Sequence, residues 1–273
     1  MAFEKPDETA DTPTDAAMRI LREPKVYLIG RQVIDEAELQ RFLDDEQVAW
    51  QTDTEAGAER LAEAAGRLCY MSFGKGRKTN ADYLGHILQV GHGSVLEHGV
   101  WNFIFTGVSR SFTHELVRHR AGFGYSQLSQ RYVDESESDF VEPDCIGADG
   151  ELHALWLSAV RHSHDAYCRL SDALFEKFAD VADKTLRRKM ARQAARSVLP
   201  NATETKIFVT ANARALRHFI ELRCNEQAET EIRVVAAEVL RIMQRESPNI
   251  FGDYTLVYLP DGTQAVRTDH RKV

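Results

Sequence analysis

The stretch "ELVRHRAGFGYSQLSQRY", Glu115 to Tyr132, sets Arg118, His119 and Arg120 side by side and follows them with a cluster of Ser, Gln and Arg. Just upstream, "VWNFIFTGV" alternates, placing Trp101, Phe103 and Phe105 on one face of a strand and Asn102 and Thr106 on the other. The next residues, "SRSFTHELVRHR", switch to helical period behind Ser109 or Ser111 as a cap. On that helix His119 falls on the apolar side with Phe112 and Leu116. Counting Arg131, four cations stand between positions 118 and 131, and they need anions.

The rest of the chain makes that need local. Forty-two Asp and Glu against 34 Lys and Arg give a formal net charge of -8, which argues against a protein that coats nucleic acid. With 273 residues and 43% hydrophobic content the chain can bury a real core, and one intertwined unit is expected. Four cysteines, Cys69, Cys145, Cys168 and Cys224, are scattered without a CxxC pair, so neither a disulfide framework nor a thiolate zinc site is indicated. No apolar run approaches the length of a membrane span and no signal-peptide core opens the chain, so a soluble cytoplasmic protein is expected. Residues 1–24 and 259–273 read as disordered or flexible tails around a domain spanning 25–258.

Within that domain "KVYLIG" is a strand. "EAGAERLAEAAGRLCYMSF" is a helix showing Leu61, Ala65 and Leu68 at helical spacing, with Asp53 or Thr54 as cap. A second helix, "ADYLGHILQV", has Asn80 as cap and stops at Gly91. The intervening "FGKGRKTN" matches neither GxGxxG nor GxxxxGK[ST]. From Asp149 to about Val198 the pattern is almost all helix, ended by Pro200, and "TKIFVT" is a strand. A helix capped by Asn212 follows, and a last one carries Ile232, Val235, Val239 and Ile242 on one stripe. Helices and strands are unevenly mixed, which favours α+β over a regular βαβ array.

Two more charged places stand out. On "ALRHFIELR", Arg223 projects onto the stripe made by Leu216, Phe219 and Ile220; a guanidinium there needs an acceptor, either a core carboxylate or a ligand oxygen. In "HGSVLEH", Ser94 and Glu97 have the spacing of a capping box. His92 and His98 are six apart with no completing cluster, so no metal is expected there, and His162 and His164 read as a solvated helix face.

With these residues in place the sequence resembles the flavin-dependent thymidylate synthases. That family's signature is RHR, seven residues, then Ser, with an arginine two places on; here it reads "RHRAGFGYSQLSQR", with eight intervening residues, the extra one in "AGFG". "HGSVLEH", "ARSVLPNATET" and "NARALRHFIELR" resemble further family segments in the expected order, over roughly residues 25 to 258. The resemblance implies reductive methylation of dUMP to dTMP, with methylenetetrahydrofolate as carbon donor and NADPH-reduced FAD as hydride donor. It implies FAD contacts at Ser94, Arg118, His119, Arg120, Gln127, Asn212, Arg214 and His218. For dUMP the matching positions are Glu115, Arg118, Gln127, Leu128, Ser129, Gln130, Arg131, Arg196 and Arg223, the last being the one that polarises the uracil ring. The anions would then be the FAD pyrophosphate and the dUMP phosphate.

Ser129 is the second candidate catalytic residue; with no base in "SQLSQRY" it reads as a hydrogen-bond partner of the nucleotide rather than a covalent nucleophile. The resemblance also implies a homotetramer with flavin sites between subunits. Two other classes fit parts of the pattern: a nucleic-acid module built on "RHR" and "LRRKMARQAAR", and a flavin reductase without methyl transfer, which leaves Arg196, Ser129 and Arg223 without a role.

Overall fold

Residues 18–271 are described by a computed structural model. In chain order they form β1 (Ile20–Leu21), β2 (Lys25–Arg31), α1 (Glu36–Asp45), α2 (Gly57–Cys69), α3 (Asn80–Val90), a 3-10 turn (Gly93–His98), β3 (Val100–Ser109) and α4 (Arg110–Leu116). Next come β4 (Phe123–Gln127), β5 (Phe140–Val141), α5 (Asp144–Gly147), α6 (Gly150–Lys177), α7 (Lys184–Ala195) and a second 3-10 turn (Arg196–Val198). Then follow β6 (Glu204–Asn212), α8 (Ala213–Arg223), α9 (Thr230–Glu246), α10 (Pro248–Phe251), β7 (Thr255–Tyr258) and β8 (Gln264–Arg267). The chain is α+β: a four-stranded antiparallel sheet in the order β2-β3-β6-β4, with two short two-stranded pairs, β1-β5 and β7-β8.

The alternation in β3 does what its period predicts. Trp101, Phe103 and Phe105 are buried, and with Ile207, Val209 and Ala211 of β6 they form the sheet's inner face. Onto it pack the apolar stripes of α8 (Leu216, Phe219, Ile220) and α9 (Ile232, Val235, Val239). The outer face keeps Tyr27, Ile29 and Phe208 exposed. Ser109 caps α4 by accepting from the Phe112 amide at 3.0 Å, and Asn212 caps α8 by accepting from Ala215 at 2.8 Å.

Several expectations are corrected. In α2 the buried face is not the Leu61, Ala65 and Leu68 side, since Leu68 is 50% exposed; it is Ala58, Glu59, Ala62, Glu63, Gly66 and Arg67. Those charges are tolerated because each is bonded. Arg67 pairs with Glu63 at 2.7 Å, and its other donors take the carbonyls of Ser72, Lys75 and Arg77, fixing the glycine loop from behind. Asp53 does not cap α2 but accepts from the Asn80 amide at 2.7 Å, while Thr79, not Asn80, caps α3.

The helix expected from Asp149 to Val198 breaks between α6 and α7, where Asp183 caps the second piece. His164, expected on a solvated face, is half buried, with Nε2 2.9 Å from the Glu135 carbonyl oxygen.

The tails also differ from expectation where they are described. Ile20 and Leu21 pair in parallel with Phe140 and Val141; the remainder of that tail, residues 1–17, lies outside the described residues. Gln264–Arg267 pairs with β7, the Val266 amide donates to the Cys224 carbonyl at 2.7 Å, and the His270 carbonyl accepts from Arg217 at 3.0 Å. Arg217 explains the attachment. Wholly buried on α8, it needs acceptors, and it finds Asp253 at 2.6 Å and the carbonyls of Ile250 and His270.

Candidate functional site

The helix α4 stops at Leu116, so Arg118, His119 and Arg120 sit in the turn leading to β4 rather than on the helix. His119 is nonetheless buried, as its apolar neighbours predict, with its ring against Phe123, His218 and Phe219. The turn is tied down on both sides. The Tyr125 hydroxyl lies 2.9 Å from the Leu116 carbonyl oxygen and 2.7 Å from that of His119, and the Gly122 carbonyl accepts from the Asn212 amide at 3.1 Å. Gly122 has φ +73°, and a Cβ there would come within 2.7 Å of Ala215 Cβ, so this position in "AGFG" requires glycine.

α8 delivers the second half of the site, because it starts where β6 ends, beside that turn. Arg223 lies on the α8 stripe as read from the sequence, and the structure supplies its partners. Its Nε donates to His119 Nε2 at 2.9 Å, and a terminal nitrogen donates to Glu115 Oε2 at 2.5 Å. Accepting from Arg223 places the His119 proton on Nδ1. Burial first, then the neighbouring Arg223 and His218, hold the His119 pKa down to about 4, so the ring is neutral at physiological pH. Glu229 stands on the same side; burial and the nearby Glu115 raise its pKa against the pull of Arg223.

Arg118, His119, Arg120, Ala121, Phe123, His218, Leu222 and Arg223 line a cavity of about 640 Å³. Among the described residues the guanidinium groups of Arg118 and Arg120 have no hydrogen-bond or ion-pair partner, and both side chains are exposed. Two free cations above a neutral, aromatic-packed histidine suit a ligand with a charged diphosphate and a flat ring.

The remaining residues fall elsewhere. Ser94 is exposed on the 3-10 turn that packs on α8, where Glu97 does not close a capping box but pairs with Arg214 at 2.6 Å. Asn212 is engaged as the α8 cap, and Gln127 Nε2 donates to Thr113 at 3.0 Å. Leu128 donates its amide to the Lys206 carbonyl at 2.9 Å, and Gln130 is buried. The Ser129 hydroxyl accepts from the Arg131 amide at 3.4 Å and touches no base among the described residues.

Ser129, Arg131 and Arg196 do not line the cavity. Among the described residues Arg131 Nε is buried without a partner, and the charge of Arg196 acts on Arg110. Arg110 itself is half buried with no hydrogen bond from its guanidinium among the described residues, and its pKa is lowered, chiefly by burial. The sequence reading missed Arg110; the available signal was a cation at the first position of a helix, where the dipole disfavours it.

An α+β frame that sets two unpaired arginines beside a neutral histidine at one cavity offers a site suited to anionic ligands. A family model described as thymidylate synthase complementing protein matches residues 52–249. A flavin-dependent thymidylate synthase of Mycolicibacterium gilvum is 53% identical over 220 residues, covering 80% of this chain and 87% of that protein. Those of Mycobacteroides abscessus and Corynebacterium glutamicum are 50% and 49% identical over 226 residues, covering 82% of this chain and 90% of each. The chain belongs to the flavin-dependent thymidylate synthase family.

Proposed function

We infer that this protein converts dUMP to dTMP, taking the one-carbon unit from 5,10-methylenetetrahydrofolate and the hydride from NADPH by way of FAD. The single observation that carries the residue assignment is the Arg223 arrangement: a fixed positive charge on an otherwise apolar helix stripe, oriented by Glu115 and the neutral His119 at the wall of the cavity. When bound, FAD supplies the hydride-transfer chemistry that no side chain of the protein can provide.

The residues present fit such a cofactor. Arg118 and Arg120 offer unpaired guanidinium groups for its diphosphate, and His119, His218 and Phe123 offer ring surface. Ser94, Gln127, Asn212 and Arg214 complete the proposed FAD set. For dUMP the proposed set is Glu115, Arg118, Gln127, Leu128, Ser129, Gln130, Arg131, Arg196 and Arg223. The buried, unpartnered Nε of Arg131 and the unpaired Arg110 beside Arg196 support a phosphate position there.

Arg223 beside the uracil favours the ring anion at N3 and so raises electron density at C5, where the new carbon bond forms. Charge stabilisation of this kind is usually the largest single catalytic contribution. Ser129 acts as a hydrogen-bond partner of the nucleotide, consistent with the absence of a base beside it among the described residues.

The same reading includes a homotetramer with sites shared between subunits. Arg131 and Arg196 are absent from the wall that holds Arg118 and Arg223, and the sheet's outer face leaves Tyr27, Ile29 and Phe208 exposed, so a neighbouring subunit can bring its own Arg131 and Arg196 to that wall. Among the described residues no helix is long and apolar enough to cross a membrane. The test is an omission series: dTMP formation must require dUMP, FAD, NADPH and methylenetetrahydrofolate together. Product formed without flavin contradicts the reading.

A further inference from the structure

The segment after Arg131 holds a carboxylate that the proposed chemistry does not use. Glu135 is 3% exposed, its Oε2 accepts from the Ser138 hydroxyl, and its Oε1 is buried without any partner among the described residues. Three other elements close around it. From α6, the Tyr167 hydroxyl accepts from the Glu135 amide at 3.3 Å and His164 Nε2 lies 2.9 Å from its carbonyl oxygen. From β6 come Glu204 and Lys206, which are paired to each other at 3.0 Å. From the start of α4 comes Arg110, and beyond it Arg196 of the second 3-10 turn.

A buried anion with one unsatisfied oxygen therefore stands near a half-buried cation with no acceptor, and no ion pair joins them. Arg110 feels both the like charge of Arg196 and the opposite charge of the buried Glu135.

We propose that Glu135 is a positioning residue of the nucleotide site, which steadies Arg110 beside Arg196 before the nucleotide arrives and takes up a proton when its phosphate binds. This rests on the reading that Arg196 holds the dUMP phosphate. Charge balance fixes the direction. A phosphate dianion at Arg110 and Arg196 cancels the attraction that keeps Glu135 ionised and adds repulsion of its own. Burial already works in the same sense, since it is the main cause raising the Glu135 pKa, with Glu204 adding to it and Ser138, Arg110 and Lys206 opposing. One proton passes from solvent to Oε1, the oxygen that has no donor, and no other bond changes. Binding then strengthens as pH falls through the window between the free and bound pKa values.

The experiment is titration calorimetry of the FAD-loaded protein with dUMP near pH 7, in buffers of different ionisation enthalpy, which counts protons taken up per nucleotide. Deoxyuridine, lacking the phosphate, is the control. The phosphate's own titration has the opposite sign, because arginines favour its dianion and so release a proton. Wild type should take up more protons with dUMP than Glu135→Gln, which has no carboxyl to titrate. Gln keeps an acceptor for Ser138 but cannot titrate, so its dUMP affinity should lose the part of the pH dependence that Glu135 gives the wild type. Equal proton counts in the two proteins, with dUMP bound, overturn the proposal and leave the site reading intact. If the variant does not fold, a wild-type count for dUMP that, after adding back the proton released by its phosphate, is no greater than for deoxyuridine overturns it equally. No dUMP binding at all overturns the phosphate-site reading itself.

Discussion

Across 104 positions of sequence, Arg223 Nε donates to His119 Nε2 at 2.9 Å, and this bond joins α8 to the turn that follows α4. The guanidinium is held in one orientation from two sides, since Glu115 takes another of its donors at 2.5 Å. A cation fixed in this way needs no reorganisation when charge develops beside it.

Replacing Arg223 with Ala should therefore lower kcat by roughly 100- to 1,000-fold while weakening dUMP binding far less. Steady-state kinetics with an independent dUMP binding measurement separates the two. Near-normal kcat would remove Arg223 from the chemistry.

The neutral state of His119 has a pH signature. Its folded pKa of about 4 lies below the ordinary imidazole value of 6.5, so the unfolded chain binds the proton more readily. Its contribution to stability is complete above about 6.5 and is lost as pH falls toward about 4. The variant His119→Gln, which cannot titrate, should show a flatter decline of Tm across that window. Parallel declines in the two proteins would mean that His119 is not held neutral.

Gly122 should accept no side chain. With φ +73° and Ala215 Cβ only 2.7 Å from where its own Cβ would fall, Gly122→Ala should cost about 1–3 kcal/mol by chemical denaturation. It should also weaken FAD binding by displacing Arg118 to Arg120. Unchanged stability and unchanged flavin affinity would mean the turn is not tied to α8 as described.

The Arg67–Glu63 pair in α2 is buried on both sides, at 3% and 1% side-chain exposure. Arg67→Leu leaves an uncompensated carboxylate and three loop carbonyls without their donor, and should cost about 3–5 kcal/mol. The double variant with Glu63→Leu should recover part of that loss, measured as a positive coupling in a double-mutant cycle.

What could be read from the sequence follows from what periodicity measures. β3 and α9 bury apolar residues at their own repeat, so Phe103, Phe105, Val235 and Val239 were legible as core. Arg223 was legible for the converse reason, a charge interrupting an apolar stripe. α2 was misread because its buried face is made of Glu59, Glu63 and Arg67, whose partners come from Trp50, Thr52, Asn80 and Asn249, segments no local pattern can assign. Arg217 was hidden likewise, since its partner Asp253 lies 36 residues away. The break before α7 has no proline or glycine to announce it, and only Asp183 marked the new start. The helical period runs on through His119, three residues past the end of α4 at Leu116, and its alignment with Phe112 and Leu116 signals a burial that Phe123 and Phe219 complete.

The most direct test of the central claim is anaerobic flavin reduction. The FAD-loaded protein is mixed with NADPH, with and without dUMP, and bleaching of the flavin is followed before methylenetetrahydrofolate is added. Bleaching whose rate changes with dUMP, then reoxidation with stoichiometric dTMP on adding the folate, is the predicted result. Bleaching indifferent to dUMP, with no dTMP formed, would contradict the account and leave a reductase in its place.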